Sequence, residues 1–268
     1  MITGKKSSQV IRRGVQILFL FIVCYIGIRF NQFAAAFDKG VLPLVERPPG
    51  VEVFLPISAL VSLKYFFLTG IITDIHPSGF ILFVLILATA FIVKKGFCSW
   101  VCPFGLLSEY LSKVHYIIFK HGIEPPVWLD KVLRSVKYIL VSFFVGAIFF
   151  KMPLQAIEGF LQSPFNILAD MKMYKFFTEI SLTALVATIG LIIISVFLRN
   201  FWCRYLCPYG AILGILSRLS LGRINFSRSH CTNCGKCEKI CPGKIAIRQG
   251  KTNTSLECSS CLQCMDVC

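Results

Sequence analysis

Eight of the thirteen cysteines fall in the last 38 residues, and their spacing is the chemically richest feature of the chain. They read Cys231-x2-Cys234-x2-Cys237-x3-Cys241-Pro242 and, with 16 residues between Cys241 and Cys258, Cys258-x2-Cys261-x2-Cys264-x3-Cys268. Three closely spaced thiolates on a tight loop cap one face of a cubane iron–sulfur cluster, and the fourth cysteine of each run reaches the other cluster. The twin run predicts two [4Fe-4S] clusters, one on Cys231, Cys234, Cys237 and Cys268, the other on Cys241, Cys258, Cys261 and Cys264. Zinc sites usually come as separated Cys-x2-Cys pairs, and a disulfide framework needs an oxidising compartment, so the repeated run favours clusters over both. Proline follows Cys241 but the sequence closes on Cys268, so the natural chain is expected to continue beyond it.

Four more cysteines lie in a duplication at an offset of 105 residues. Cys98-Ser-Trp-Val-Cys102-Pro103-Phe104-Gly105 matches Cys203-Arg-Tyr-Leu-Cys207-Pro208-Tyr209-Gly210. Each copy follows an apolar run and precedes an amphipathic stretch, 106–114 and 211–219, expected to form a helix lying at the membrane surface. Upstream, 56–69 with Lys64, Phe66 and Phe67 resembles 164–178 with Lys172, Phe176 and Phe177. Both motifs face one side, so the halves read as parallel repeats about an axis along the membrane normal. Such an axis brings Cys98, Cys102, Cys203 and Cys207 together. A third iron–sulfur cluster, two redox-active dithiols, or structural cysteines ahead of a helix-starting proline are then the alternatives.

The elements that must position these cysteines are membrane spans. Mean hydropathy is +0.72 and 56% of residues are hydrophobic, too apolar for an ordinary soluble domain. Apolar runs at 14–28, 79–93, 136–150 and 180–198 predict four spans. The stretch 53–72 is equally apolar but holds Pro56 and Lys64, and reads as re-entrant or interfacial. The run after Arg12 and Arg13 has features of a signal peptide, but its partner in the third span argues against removal. Cys24 within it reads as packing. The expected architecture is mostly α, an integral membrane four-helix bundle of two parallel repeats with a small twin-cluster, ferredoxin-like domain. Its parts are a cytoplasmic N-terminus (1–13), repeat 1 (14–115), repeat 2 (116–222) and the ferredoxin-like domain (223–268).

Charge orients the bundle. Segments 1–13, 94–137 and 199–268 carry 4, 7 and 10 basic residues against 0, 3 and 3 acidic ones. Segments 29–78 and 151–179 balance at 4 against 4 and 3 against 3, so the entire surplus of +15 lies on one side. The positive-inside rule makes that side cytoplasmic, with both termini and all twelve motif cysteines on it, in a bacterial inner membrane. Nucleic acid is thereby excluded as the reason for the charge. Lys236, Lys239, Lys244 and Arg248 instead offset anionic clusters.

These spans, the paired Cys-x3-Cys-Pro motifs and the twin-cluster tail resemble the NapH family, membrane quinol dehydrogenase components of periplasmic nitrate reductase systems. The core is also similar to NosR-type membrane proteins of nitrous oxide respiration and, more distantly, to CcoG-type proteins of cytochrome oxidase assembly. The resemblance implies quinol oxidation in the membrane and electron delivery toward a periplasmic or membrane redox partner, with a second ferredoxin subunit among the expected partners. There is no Cys-x-x-Cys-His haem attachment and no dinucleotide-binding glycine fingerprint, so the chain reads as one component of a larger system. Quinol oxidation needs a proton acceptor, and His76, Asp74, Glu158 and Asp170 are the candidates. The alternative function is a maturation factor that keeps a metal or thiol reduced for an assembling oxidase or reductase. The third reading is a membrane anchor with structural clusters.

Overall fold

The computed structural model describes residues 5–40, 46–119, 125–249 and 254–268. Helices dominate, and there is no β-strand among the described residues. The chain forms two compact units. One combines 1–20, 86–138 and 190–268; the other combines 21–85 and 139–189.

Helix α1 (Lys5–Asp38) contains the first expected span and extends well past it at both ends. A second long apolar helix runs over Val127–Lys151, of which α6 is Val127–Gly146 and the last turn widens to a π-turn at Ala147–Lys151. Both are long and apolar enough to cross a membrane. Their outward faces carry Phe21, Tyr25 and Ile28 on α1 and Ile139, Phe143 and Phe150 on the second helix, all exposed. A largely apolar exterior of this kind suits lipid.

The other two expected spans are shorter. Helix α3 (Pro77–Val93) has 17 residues and α10 (Leu182–Phe197) has 16. The latter joins α9 (Ala169–Thr178) through an 81° bend, and the bent pair makes a third crossing if taken as one element. Local chemistry accounts for these boundaries. Pro77 starts α3 with a fixed φ, and Lys94 ends it at φ 54°, a left-handed conformation.

In the unit of 21–85 and 139–189, the proline- and lysine-bearing stretch forms helix α2 (Pro56–Thr69), 14 residues closed by Gly70 at φ 72°. Buried Lys64 explains its placement. The ammonium donates to the carbonyls of Ile148 at 3.0 Å and Phe149 at 3.1 Å, and also to that of Met152. Those carbonyls belong to the closing turn of the helix, where carbonyls run out of N–H partners one turn on, so one charged donor serves three acceptors at a negative helix end. Helices α7 (Leu154–Leu161) and α8 (Pro164–Ile167) lead into α9. Phe30, Ala34, Val51 and Met171 form an apolar core there, with Tyr174 edge-on to Phe30.

In the other unit, α4 (Gly96–Trp100) and α5 (Pro103–Phe119) carry the first Cys-x3-Cys-Pro motif. A π-turn at Trp202–Leu206 and α11 (Pro208–Leu216) carry the second. The two expected surface stretches are helical, as parts of α5 and as α11 with the turn Ser217–Leu219. Short helices α12 (Lys236–Ile240) and α13 (Gln263–Asp266) follow the two cysteine loops of the tail.

Candidate iron–sulfur centre and electron-transfer site

The two tail loops share one backbone solution. Asn233 at φ 56° and Gly235 at φ 69° flank Cys234, as Ser260 at φ 50° and Leu262 at φ 60° flank Cys261. Left-handed residues on either side of the middle cysteine curl the loop so that successive N–H groups face one point, a concavity suited to an anion. Glycine takes such angles freely, whereas a leucine there costs free energy that the loop must recover elsewhere.

Cys241, Cys258 and Cys261 are buried, and with Cys264 they line a single pocket whose other walls include Ile224 and Ile245. Burial pushes the Cys264 thiol up to about 12, and the neighbouring charges of Cys261, Cys241 and Cys258 add to it. The fourth cysteine of the first run thus sits with the first three of the second. Cys241 receives backbone N–H groups from Ile245, Gly243 and Lys244, and Cys261 from Gln263. N–H donors of this kind stabilise anionic sulfur. On the other side, Cys237 lies within charge range of Cys268, and Arg248 within range of Cys237 and Cys231. The sulfur-rich, N–H-lined pocket fits a [4Fe-4S] cluster.

Cys98, Cys102, Cys203 and Cys207 also come together. The Cys98 thiol is raised well above the ordinary range by burial and by Cys102, Cys207 and Cys203. Cys203 is pushed to about 12 by burial, Cys207 and Cys102. Both turns close with the same wide hydrogen bond, Cys102 N–H to the Phe97 carbonyl at 3.0 Å and Cys207 N–H to the Trp202 carbonyl at 2.9 Å. None of the four is in a disulfide. Among the described residues, no three metal-ligating side chains meet at the distance of a single ion.

The second tail loop is clamped to the first motif. Four successive carbonyls accept hydrogen bonds: Cys258 from Lys95 N–H at 3.4 Å, Ser259 from the Ser99 hydroxyl at 2.6 Å, Ser260 from the Trp100 indole at 3.0 Å, and Cys261 from Gln9 at 2.9 Å. Glu257 anchors the loop electrostatically, with Lys95 at 2.9 Å, Lys137 at 2.7 Å and Tyr138 at 3.0 Å. Arg12, 1% exposed, joins α1 to α5 through Glu109 at 2.8 Å. The equivalent positions of the second motif bind elsewhere: Arg204 and Tyr205 both reach Asp130, at 2.8 and 2.5 Å.

The proton-acceptor candidates separate cleanly. Asp74 and Glu158 are exposed, whereas His76 and Asp170 are buried in one network. His76 Nε2 lies 2.8 Å from the Asn166 carbonyl, and Nδ1 lies 3.3 Å from Glu52 and 3.2 Å from Arg47. Arg47 continues to Asp170 at 2.6 Å, and Glu52 accepts from Gly79 N–H at 2.8 Å. Burial opposes a charge on His76, but its hydrogen bonds to Glu52 and Asn166 outweigh burial and hold its pKa above that of ordinary imidazole. Glu52 and Arg47 were not identifiable from sequence, because each is paired only through folding.

Cys234 is pulled below the ordinary thiol range by the Lys236 N–H and the Thr232 hydroxyl, while Cys203 and Cys264 are pushed to about 12. In iron-free protein near neutral pH, alkylation of Cys234 should outpace that of Cys203 by more than ~10-fold, since the thiolate is the reacting form. Time-resolved peptide mapping would read this, and equal rates would contradict the environments described.

A family profile described as a 4Fe-4S binding domain matches residues 75–125 and 180–227. The two matches contain the two Cys-x3-Cys-Pro motifs and begin 105 residues apart, from 75 to 180. YccM of Escherichia coli (strain K12), assigned to electron transport, is 39% identical over 98% of this chain and 74% of its own length. The ferredoxin-type protein NapH of Haemophilus influenzae is 29% identical over 69% of this chain and 63% of its own. The regulatory protein NosR of Stutzerimonas stutzeri is 29% identical over 70% of this chain, which spans only 25% of NosR. No solved structure matches the chain.

Proposed function

Because the chain belongs to the family of ferredoxin-type, 4Fe-4S membrane electron transport proteins that includes YccM and NapH, we propose that it passes electrons between the quinol pool and a respiratory redox partner. The observation that carries this reading is the pocket lined by Cys241, Cys258, Cys261 and Cys264, clamped to the first Cys-x3-Cys-Pro motif. Those four cysteines hold one [4Fe-4S] cluster, and Cys231, Cys234, Cys237 and Cys268 hold the other. Such clusters supply reversible one-electron transfer. The charge asymmetry supports a bacterial cytoplasmic membrane with the cysteines on the cytoplasmic side, and a periplasmic reductase system with a second ferredoxin subunit is the partner that the resemblance to NapH implies.

Oxidation of a quinol releases two electrons and two protons, so the chain must offer a base. His76 has partners for both of its states. Neutral, it donates from Nε2 to the Asn166 carbonyl and accepts from Arg47 at Nδ1; protonated, it donates from Nδ1 to Glu52. A side chain hydrogen-bonded in either state exchanges a proton without reorganising its surroundings. Asp170 fixes Arg47 from the far side.

The base acts when neutral, so electron entry from quinol should rise with pH through an inflection above the ordinary imidazole value of 6.5. Glu52→Gln removes the partner that raises His76 and should move that inflection downward, and His76→Phe should lower the rate by ~10²-fold or more. Stopped-flow reduction of the clusters by a menaquinol analogue, across a pH series, measures both. An unchanged rate and inflection in His76→Phe would remove His76 from the reaction.

A further inference from the structure

Given the two tail clusters assigned above, on which this inference rests, we propose that Lys94, Lys95 and Lys137 form a buried cationic wall behind the second tail loop. The wall holds the inner cluster, on Cys241, Cys258, Cys261 and Cys264, at a higher reduction potential than the outer one, on Cys231, Cys234, Cys237 and Cys268. An electron on the tail then rests on the inner side, and the outer side is the last to be reduced and the first to be oxidised.

Lys94 and Lys95 follow the apolar run of α3, where basic side chains ordinarily reach out to headgroups and water. Here they turn inward, 1% and 5% exposed, and meet Lys137, which is 0% exposed. The Lys94 ammonium donates to the Ser255 carbonyl at 3.3 Å, and the same oxygen accepts the Cys258 N–H at 3.4 Å. One oxygen therefore joins this cation to the backbone of a proposed ligand. Lys95 donates its own N–H to the Cys258 carbonyl at 3.4 Å and its ammonium to Glu257 at 2.9 Å. Lys137 reaches the same carboxylate at 2.7 Å, and Glu257 and Cys258 line one pocket.

Among the described residues, three buried ammonium groups thus meet one carboxylate at this loop, a surplus of two positive charges. Arg12 adds nothing to the surplus, because Glu109 matches it. The outer set differs. Cys234 and Cys268 are exposed, as is Lys236, and Arg248 is matched by Glu238 at 2.8 Å. Asp266 lies between Cys264 and Cys268 in the chain, so its charge bears on both sets alike.

Reduction adds one negative charge to a group already anionic, so a fixed cation beside it favours the reduced form and raises the potential. Burial alone opposes the added charge. The same burial, however, leaves the two surplus cations unscreened by water and salt, whereas the exposed Lys236 is screened. Buried cations short of counter-charge are themselves costly, and each electron taken into the pocket relieves that cost. The lysine surplus therefore outweighs the burial of the inner set.

The test is an anaerobic redox titration of the full-length protein, reconstituted with iron and sulfide and followed by electron paramagnetic resonance. Two tail signals with separate midpoints are expected, the higher lost in Cys258→Ser and the lower lost in Cys234→Ser. Lys94→Met keeps the aliphatic stem and every ligand. It should lower the reduced-to-oxidised ratio of the higher signal at fixed potential by ~10-fold, which is 59 mV for one electron, and leave the lower signal in place. Glu257→Gln, which removes the negative charge, should move the higher signal the opposite way. Should Lys94→Met fail to take up iron, Lys95→Met reads the same downward shift. A single shared midpoint, the reverse order of loss in the two serine variants, or a higher signal unmoved by the lysine changes would overturn this inference alone. Unchanged iron content in both serine variants would overturn the two-cluster reading and this inference with it.

Discussion

Cys258→Ser is expected to strip one cluster from the tail and to slow electron transfer between quinone and the remaining centre by ~10³-fold or more. Cys258 is 5% exposed, lines the same pocket as Cys241, Cys261 and Cys264, and its carbonyl accepts the Lys95 N–H. It is both a proposed ligand and part of the clamp that holds the tail against the first Cys-x3-Cys-Pro motif. A serine hydroxyl is a poor substitute for a thiolate on iron. The loss should be confined. Iron should fall by about four per chain, while the Cys231, Cys234, Cys237 and Cys268 site keeps its signal. Cys24→Ser, exposed on α1 and outside every set, should change neither. Retention of full iron by Cys258→Ser would refute the assignment of this pocket.

The second large effect is expected from Glu257→Ala. This carboxylate is pulled to about 2, because Lys95 and Lys137 outweigh the burial that would raise it. Removing it leaves two lysines, 6% and 0% exposed at the side chain, without their carboxylate partner. Breaking a buried pair in this way costs about 3–5 kcal/mol. The cost falls on the docking of the tail, since Glu257 precedes the clamped carbonyls of 258–261 directly. Limited proteolysis should cut between α11 and the tail much faster in Glu257→Ala, and cluster loss in air should accelerate. Glu257→Gln, which keeps the shape and can still accept from Tyr138, should be milder. Equal proteolysis of wild type and Glu257→Ala would show that the hydrogen bonds from Lys95, Ser99, Trp100 and Gln9 hold the loop without it.

The cysteines were legible in the sequence because cluster chemistry imposes spacing directly on neighbouring residues. The structure gathers Cys241 with Cys258, Cys261 and Cys264 in one pocket, the grouping that the spacing proposes. Span lengths were less so. Apolar runs mark where a helix is buried in lipid but not where it starts or stops: α1 includes Arg12, whose charge is met by Glu109, and α10 begins only after the bend that follows Thr178.

The clamp was not legible at all. Ser99 and Trp100 look like filler between two cysteines, and their counterparts Arg204 and Tyr205 share neither type nor partner. The duplication has diverged at these intervening positions. One copy docks the tail and the other docks Asp130 on α6, a difference that only tertiary contacts reveal. The Glu52–His76–Arg47–Asp170 network was half visible. His76 and Asp170 stood out as ionisable groups near apolar segments, but Asp74 and Glu158 looked the same, and only burial separates them.

The most direct test of the central claim is anaerobic stopped-flow spectroscopy of the full-length protein in lipid vesicles, with clusters pre-reduced and an oxidised menaquinone analogue then added. Rapid, saturable reoxidation is expected, slowing by ~10³-fold or more in Cys258→Ser, because the proposed cluster beside the first Cys-x3-Cys-Pro motif is then lost. Reoxidation that is slow, unsaturable and identical in wild type and variant would contradict it, and would leave the chain exchanging electrons with a partner other than the quinone pool.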